Sequence, residues 1–204
     1  MNDALPTLWK LNTLFILSLL LVNCQPTADP VTEITEVNPA ADGFNLEGSD
    51  ERAIEIADAV MEAMGGRTAY DNTRYLKWNF FGSRKHIWDK ETGDVIIEGI
   101  RDTFFTKMNI HTMEGEVNYR GVDLTVSDSL EMYLEKGKSA WINDAYWLVM
   151  PYKLKDSGVT LKHLGEDTIA GGQAADVLSL TFKNVGDTPQ NKYHVYIDRT
   201  DNLI

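Results

Sequence analysis

The sequence predicts an α+β domain in which an antiparallel sheet is covered by short helices. Two observations carry this prediction. Apolar residues recur at helical spacing just after residue 50, and from Arg74 onward they alternate with polar residues in short runs. A period of 3.6 residues is typical of a helix lying on a core, whereas a period of two is typical of a half-buried strand. Because short polar turns separate the runs, we expect consecutive strands to pair antiparallel as a meander.

Composition and charge argue against several classes of partner and site. The 204 residues include 19 Lys and Arg against 31 Asp and Glu, which gives a formal net charge of −12. Affinity for nucleic acid comes mainly from clustered basic side chains, so this balance speaks against a nucleic-acid partner and against docking on an anionic membrane through a basic patch. Cys24 is the single cysteine, which excludes intramolecular disulfides and multi-cysteine zinc or iron–sulfur sites. No cofactor is predicted.

Residues 1–23 have the pattern of a signal peptide. The twelve residues 11–22 are apolar apart from three polar side chains, and Lys10 precedes them. A comfortable transmembrane helix needs about 20 residues, so this run has instead the size of a signal-peptide core. The sequence Leu21-Val22-Asn23-Cys24 resembles a bacterial lipobox, which implies cleavage before Cys24 and lipid attachment at its thiol. The alternative is a buried helix that ends at an ordinary cysteine.

The rest of the chain divides into a tether and a domain. Residues 24–48 contain three prolines and no helical or strand period, which predicts a flexible tether between the lipid anchor and the domain. The domain is expected to span residues 49–204. Ser49-Asp50 can cap its first helix, and Gly65-Gly66 supplies the stop.

The remaining elements follow from the apolar pattern. Strands are predicted over residues 74–81, 84–89, 95–100 and 103–110, and again over residues 159–164, 174–182 and 192–198. Between the two groups, residues 127–150 suit two short helices divided near Gly137, and Pro151 ends them. Leu203-Ile204 has the pattern of the start of another strand, from which we expect the domain to be truncated at its C-terminus.

Candidate catalytic groups are few. No Gly-x-Ser-x-Gly elbow is present, and the only histidine at a spacing that suggests a metal is His111, three residues before Glu114 in a strand end and turn. We therefore predict no enzyme activity and no metal site. Asn143 and Asp144 stand in a very apolar stretch, where unsatisfied polar groups cost about 1–3 kcal/mol each. They either cap a helix break or point at something bound.

Aromatic and sulfur-containing residues are abundant, with five Trp, eight Tyr, seven Phe and seven Met. Two interpretations are open. These side chains either line an apolar cavity for a hydrophobic ligand or fill an ordinary packed core.

Several blocks of the sequence resemble a family of uncharacterised bacterial lipoproteins. They are a helix ending in Met64-Gly65-Gly66, residues 73–82, Trp88-Asp89-Lys90 with Thr92-Gly93-Asp94, and residues 141–154 with Asp156-Ser157-Gly158-Val159. That family is similar to the LolA-like lipoprotein-sorting proteins. The resemblance covers residues 49–204. It implies a strongly curved antiparallel sheet, an incomplete β-barrel, closed by short helices over an apolar cavity.

The expected function is that of a non-enzymatic, membrane-anchored lipoprotein that binds a hydrophobic ligand, an acyl chain or lipid, and acts in lipoprotein or lipid handling. Its expected location is the cell envelope, at the outer membrane facing the periplasm, and no protein partner is indicated. Two alternatives stay open, an envelope scaffold with a filled core and a hydrolase with an unrecognised site. The predicted cavity residues come from the more apolar faces: Trp78, Phe80, Phe104, Met108, Trp147, Met150, Leu178 and Leu180.

Overall fold

The computed structural model of the chain describes residues 37–101, 103–185 and 188–204. Within them the domain is α+β with antiparallel sheets, as the sequence predicts. The helices are α1 (Glu51–Ala63), α2 (Arg67–Asn72) and α3 (Ser127–Val149), and a 3-10 helix, Met150–Lys153, follows α3 directly. The strands are β1 (Tyr75–Phe80), β2 (Arg84–Asp89), β3 (Asp94–Gly99), β4 (Phe104–Asn109), β5 (Gly115–Tyr119), β6 (Val122–Asp123), β7 (Val159–Thr168), β8 (Ala174–Phe182) and β9 (Lys192–Asp198).

The first six strands form one antiparallel meander in the order β1 to β6. The register places Trp78 opposite His86, His86 opposite Ile97, and Ile97 opposite Thr106, so one row of inner-face side chains crosses four strands. The predictions for β1 to β4 are confirmed to within one residue at each end. β5 and β6 were not predicted, because Val117 is the only buried side chain of the two strands and leaves no alternation to detect.

The predicted first helix is confirmed as α1. Ala53, Ala57 and Val60 recur at spacings of four and three residues, and all three are buried. Gly65 and Gly66 then have φ angles of 101° and 84°, the backbone region that suits glycine at the end of a helix. The six-residue helix α2 follows; it has no buried residue and therefore no apolar face that a sequence pattern could reveal.

The segment between the two groups of strands is a single helix of 23 residues, α3. The prediction of two short helices divided near Gly137 is therefore wrong. Gly137 lies inside the helix where it crosses the sheet, and a Cβ there would come within 3.1 Å of Met108 Sδ and 3.1 Å of Thr106 Cγ2. The glycine thus permits a close approach between helix and sheet and does not end the helix. The α-helix changes to the 3-10 helix next to Pro151, which has no N–H to donate.

The last three strands form a second antiparallel sheet in the order β7, β8 and β9. The central strand β8 is buried along residues 175–180, on both of its faces. β7 continues past its predicted end through a register shift between His163 and Gly165, which marks a β-bulge. The predicted bounds of β8 and β9 are confirmed.

Neither sheet is closed or strongly curled, so the prediction of a strongly curved sheet that forms an incomplete β-barrel is not confirmed. Each sheet instead has its own hydrophobic cluster. Val95, Ile97 and Phe104 of the six-stranded sheet pack with Leu134 of α3. The three-stranded sheet packs against α1 in the other cluster. Because separate helices cover the two sheets, neither sheet has to curl on itself to bury its apolar face.

Residues 37–48 are hydrogen-bonded to the domain, although the sequence analysis places them in the tether. Asn38 is buried, its side-chain amide donates to Asp58 O at 3.4 Å, and its side-chain oxygen accepts from Arg67 N at 3.1 Å. Backbone amides of residues 41 and 45 donate to carbonyls of residues 155 and 159. The packed domain therefore begins before Ser49. The predicted signal peptide, Cys24 and the tether up to residue 36 lie outside the described residues.

Candidate functional site

A groove of about 780 Å³ is formed by α3, β2 and the three-stranded sheet. Volumes of about 300–1,000 Å³ are typical of small-molecule sites. Six of its eighteen described lining residues are aromatic, and we call it the aromatic groove. The aromatic lining residues are Trp88, Trp141, Tyr146, Trp147, Phe182 and Tyr193, and the polar ones are Arg84, Ser139, Asn143, Lys153, Asp156, Ser157 and Thr188.

Rings of the aromatic groove contact one another edge to face. The centroid of Tyr193 lies 5.5 Å from that of Trp147 and 5.7 Å from that of Phe182. Trp88 and Trp141 make a similar contact at 5.0 Å. Such ring pairs contribute about 0.5–1.5 kcal/mol beyond the area that they bury. These contacts connect the side chains that form the walls of the groove.

Local periodicity brings the lining residues to the groove. Arg84 and Trp88 lie on the same face of β2, because side chains four residues apart in a strand point the same way. In α3, Trp141 and Ala145 are four residues apart and therefore share a helix face. Phe182 ends β8 opposite Val159 at the start of β7, so the edge of the three-stranded sheet supplies the other wall.

A buried carboxylate, Asp144, joins α3 to β2 beside the groove. Its oxygens accept hydrogen bonds from Arg84 Nε at 2.6 Å and Nη2 at 2.8 Å, from His86 Nε2 at 2.7 Å, and from Asn143 Nδ2 at 2.9 Å. The side chain of Asp144 is 0% exposed, whereas that of Arg84 is 29% exposed. Asp144 therefore neither caps a helix break nor faces a ligand, the two alternatives that the sequence left open. Its hydrogen bonds to Arg84 and His86 connect helix α3 to strand β2.

The hydrogen bonds determine the charge of Asp144. Burial raises the pKa of this carboxyl group, but the hydrogen bonds from Arg84, His86 and Asn143 outweigh the burial and lower the pKa to about 2. Asp144 is thus an anion across the neutral range, and it balances the charge of Arg84 at the groove wall.

The Asp144–His86 pair resembles a catalytic carboxylate and histidine, but no nucleophile of the described residues is hydrogen-bonded to the histidine. A carboxylate only accepts, so the hydrogen lies on His86 Nε2, and the buried Nδ1 has no hydrogen-bond partner among the described residues. Trp78 stacks on the imidazole with centroids 4.5 Å apart. Because both side chains of the pair are 0% exposed, a substrate cannot reach them. We assign this cluster a structural role.

A second cavity, of about 520 Å³, runs along β9. Trp147 and Met150 line it together with residues 193–196 of β9 and with Leu203 and Ile204. Trp147 belongs to both cavities, and 46% of its surface is exposed. It is therefore the most accessible of the predicted ligand residues.

The other predicted ligand residues lie elsewhere. Phe104 and Met108 are buried in the cluster of the six-stranded sheet, and Leu178 and Leu180 are fully buried in the cluster of the three-stranded sheet. None of these four lines either cavity. The alternation of apolar and polar residues correctly predicted that these four side chains face inward. An inward-facing side chain can lie in a packed core as well as beside a groove, and the alternation does not distinguish the two.

Trp78 and Phe80 are half-buried on the inner face of β1 and also line neither cavity. Trp78 covers His86, as described above, and the guanidinium of Arg84 lies 5.6 Å from the centroid of the Phe80 ring. Both aromatic rings therefore support the Asp144 cluster, and the structure gives them no contact with the aromatic groove.

Sequence reasoning missed most of the aromatic groove. Trp141 and Tyr146 belong to the aromatic stretch that the sequence analysis singled out, so its composition was a usable signal. Trp88 could have been found from its place on the inner face of β2. Phe182 and Tyr193 meet α3 only through tertiary packing, and no local pattern indicates that contact.

No group of three or more potential metal ligands occurs among the described residues. Within the same part of the chain, every helix is too short or too polar to cross a membrane. Comparisons of the chain with protein-family models, with curated proteins and with solved structures return no match.

Proposed function

We propose that the chain is a membrane-anchored lipoprotein that binds a hydrophobic ligand, an acyl chain or lipid, in the aromatic groove. The observation that carries the proposal is a groove of about 780 Å³ with six aromatic side chains in its wall. Apolar, aromatic walls with a few polar groups are typical of sites for small apolar ligands. A packed protein interior, by contrast, leaves few voids larger than a water molecule.

The sequence supports the anchored part of this proposal. The lipobox-like pattern at Cys24 would attach the chain to a membrane, and the signal-like residues before it would export the chain to the cell envelope. Acyl chains at one residue anchor a protein because each buried methylene contributes about 0.8 kcal/mol. We further propose the outer membrane, facing the periplasm, as the location. The resemblance to the LolA-like proteins supports a role in lipoprotein or lipid handling.

Filling the aromatic groove tests the proposal. Ala140 lines the groove, and Ala140→Trp would place an indole in the space that a ligand needs. The full-length protein is incubated with oleic acid in detergent micelles and analysed by native mass spectrometry. We expect a bound fatty acid in the wild type and its loss in Ala140→Trp.

Glu135→Trp is the matched control, since it adds the same side chain at an exposed position of α3 that is not part of the groove lining. It should retain the bound fatty acid. A wild-type protein that binds none, or an Ala140→Trp variant that binds as much as Glu135→Trp, would contradict the proposal. That result would favour an envelope scaffold with a filled core.

A further inference from the structure

One end of the six-stranded sheet carries exposed apolar side chains. Because the strands form an antiparallel meander, the turns β1–β2, β3–β4 and β5–β6 lie at the same end of the sheet. Phe81 of the first turn is 82% exposed, and Ile100 of the second turn and Val122, directly after the third turn, are exposed as well. We call these three residues the apolar tips. Exposed apolar residues that are scattered singly are ordinary, whereas several at one place indicate an interaction site.

The turns at the opposite end of the sheet, β2–β3 and β4–β5, have a polar surface. Ile110 is buried, and Met113 is half-buried against the cluster of the six-stranded sheet. The exposed residues of these two turns are Glu91, Thr92, His111, Thr112 and Glu114. Turns of this sheet can therefore cover their apolar side chains, and the exposure of the apolar tips does not follow from the meander itself.

The backbone of the first turn is unfavourable for Phe81. The φ angles of Phe81 and Gly82 are 47° and 67°, so both residues lie in the left-handed region. Hairpin turns of this conformation favour Asn or Asp before Gly, because a Cβ atom crowds the neighbouring carbonyl oxygen there. Hydration also disfavours an aromatic ring that is 82% exposed. Two local preferences thus oppose phenylalanine at this position, and such departures are expected at functional sites.

The charge of these turns suits a lipid surface. Arg101 and Arg120 belong to the turns of the apolar tips, and Asp102 is the one acidic residue in the sequence of the same turns. The whole chain, by contrast, has a formal net charge of −12. Because carboxylates are unfavourable to desolvate, the end of the sheet with few of them can enter a lipid surface more readily than the acidic remainder of the chain.

The chain before the described residues is long enough to bring the apolar tips to a membrane. Cys24 and Val37, the first described residue, are thirteen positions apart. An extended chain spans at most about 3.3–3.6 Å per residue, which gives a reach of about 45 Å. Asn38 Oδ1 accepts a hydrogen bond from Arg67 N at the start of α2, and β1 then covers about 20 Å up to the tips. The reach therefore permits contact between the apolar tips and a bilayer that holds Cys24.

We infer that the apolar tips insert into the surface of the bilayer to which Cys24 is anchored, with Phe81 as the principal contact. This inference rests on the proposed function, since the lipid anchor keeps the domain beside the bilayer. Insertion removes apolar surface from water. The anchor turns this contact into an intramolecular step with a high effective concentration, so three side chains are enough.

Quenching by lipid-borne nitroxides tests the inference. The lipidated full-length protein is reconstituted into phosphatidylcholine vesicles that carry a nitroxide on the acyl chain. An environment-sensitive fluorophore is attached to Phe81→Cys or to Leu164→Cys, because lipidated Cys24 has no free thiol. Leu164 is an exposed apolar residue of β7, away from the apolar tips, and is the matched control. We expect several-fold stronger quenching at residue 81 than at residue 164.

A second set of variants tests whether Phe81 itself is required. With the fluorophore on Val122→Cys, Phe81→Ser should reduce the quenching several-fold, whereas Leu164→Ser should leave it unchanged. The thermal midpoint is measured in parallel. Phe81→Ser should not lower it, because the ring is 82% exposed, and this result separates a lost membrane contact from a lost fold.

Two outcomes would count against the inference, and they can be told apart. Quenching at residue 81 that is no stronger than at residue 164 would overturn the membrane contact, would leave ligand binding in the aromatic groove intact, and would favour a protein partner at the apolar tips. A protein that is recovered outside the vesicles would overturn the lipid anchor of the proposed function together with the inference.

Discussion

At the scale of single residues, Asp144 connects α3 to β2 beside the aromatic groove through buried hydrogen bonds. A carboxylate taken out of water loses its hydration, and only well-placed donors offset that loss. Arg84 and His86 come from the inner face of β2 and supply these donors from across the interface with α3. Removing the carboxylate removes the acceptor that Asp144 supplies to the guanidinium of Arg84 and to the imidazole N–H of His86.

We predict that Asp144→Ala lowers the free energy of unfolding by about 2–3 kcal/mol. Breaking a fully buried ion pair costs about 3–5 kcal/mol, and the loss here should be smaller because 29% of the Arg84 side chain is exposed. Urea denaturation at neutral pH measures it. Asp123→Ala is the control, since Asp123 is an exposed carboxylate that accepts one hydrogen bond from Asn118. Losses of equal size in the two variants would show that the Asp144 cluster does not stabilise the fold.

At the scale of elements, the crossing of α3 over the six-stranded sheet depends on Gly137. Glycine inside a helix is about 1 kcal/mol less favourable than alanine. At an exposed helix position, replacing glycine by alanine would therefore be expected to stabilise the protein. Gly137 is buried, however, and the added methyl carbon would lie 3.1 Å from both Met108 Sδ and Thr106 Cγ2. The close contact and the helix propensity therefore act in opposite directions.

We predict that the contact dominates and that Gly137→Ala lowers the free energy of unfolding by roughly 1–2 kcal/mol, the lower part of the range for overpacking in a core. Thermal and urea unfolding measure the change. Glu135→Ala, at an exposed position of the same helix, should be nearly neutral. An increase in stability for Gly137→Ala would mean that Met108 moves aside without cost and that the helix does not need glycine for its approach.

At the scale of the whole molecule, two carboxylates make the free energy of unfolding depend on pH. The hydrogen bond from Arg74 lowers the pKa of Asp89 to about 2, and burial is the opposing effect. Burial also opposes the hydrogen bonds that lower the pKa of Asp144 to about 2. A carboxylate with a folded-state pKa below its unfolded value of 3.8 stabilises the fold above that value, and the contribution disappears as the pH falls through the folded-state pKa.

We therefore predict that the free energy of unfolding falls as the pH is lowered from about 4 to about 2. Asp144 alone should account for about 2 kcal/mol of this loss, from a pKa difference between 3.8 and about 2. Urea denaturation at several pH values in this window tests it. The Asp144→Asn variant should lose less stability over the same window than the wild type, and parallel curves for the two proteins would contradict the assignment to Asp144.

The sequence by itself determined the elements with local signals. α1 follows from the 3.6-residue spacing of Ala53, Ala57 and Val60, and Gly65-Gly66 ends it. The bounds of β2, β8 and β9 follow from alternation and from the polar turns around them. These signals can be read because side-chain direction and turn chemistry act over only a few residues. The same local reasoning brought Trp147 and Met150 into the list of ligand residues, and both line cavities.

Only the tertiary structure decided what each inward face meets. Leu178 and Trp88 both lie on inner faces, but the first is fully buried in the cluster that α1 shares with the three-stranded sheet, whereas the second borders the aromatic groove. Gly137 looked like a helix break because its contact, Met108, is distant in sequence. Whether the strands form one curled sheet or two separate ones depends in the same way on which helix covers them. Periodicity records the direction of a side chain and not the identity of the surface opposite it, so contacts between distant segments could not be read from the pattern.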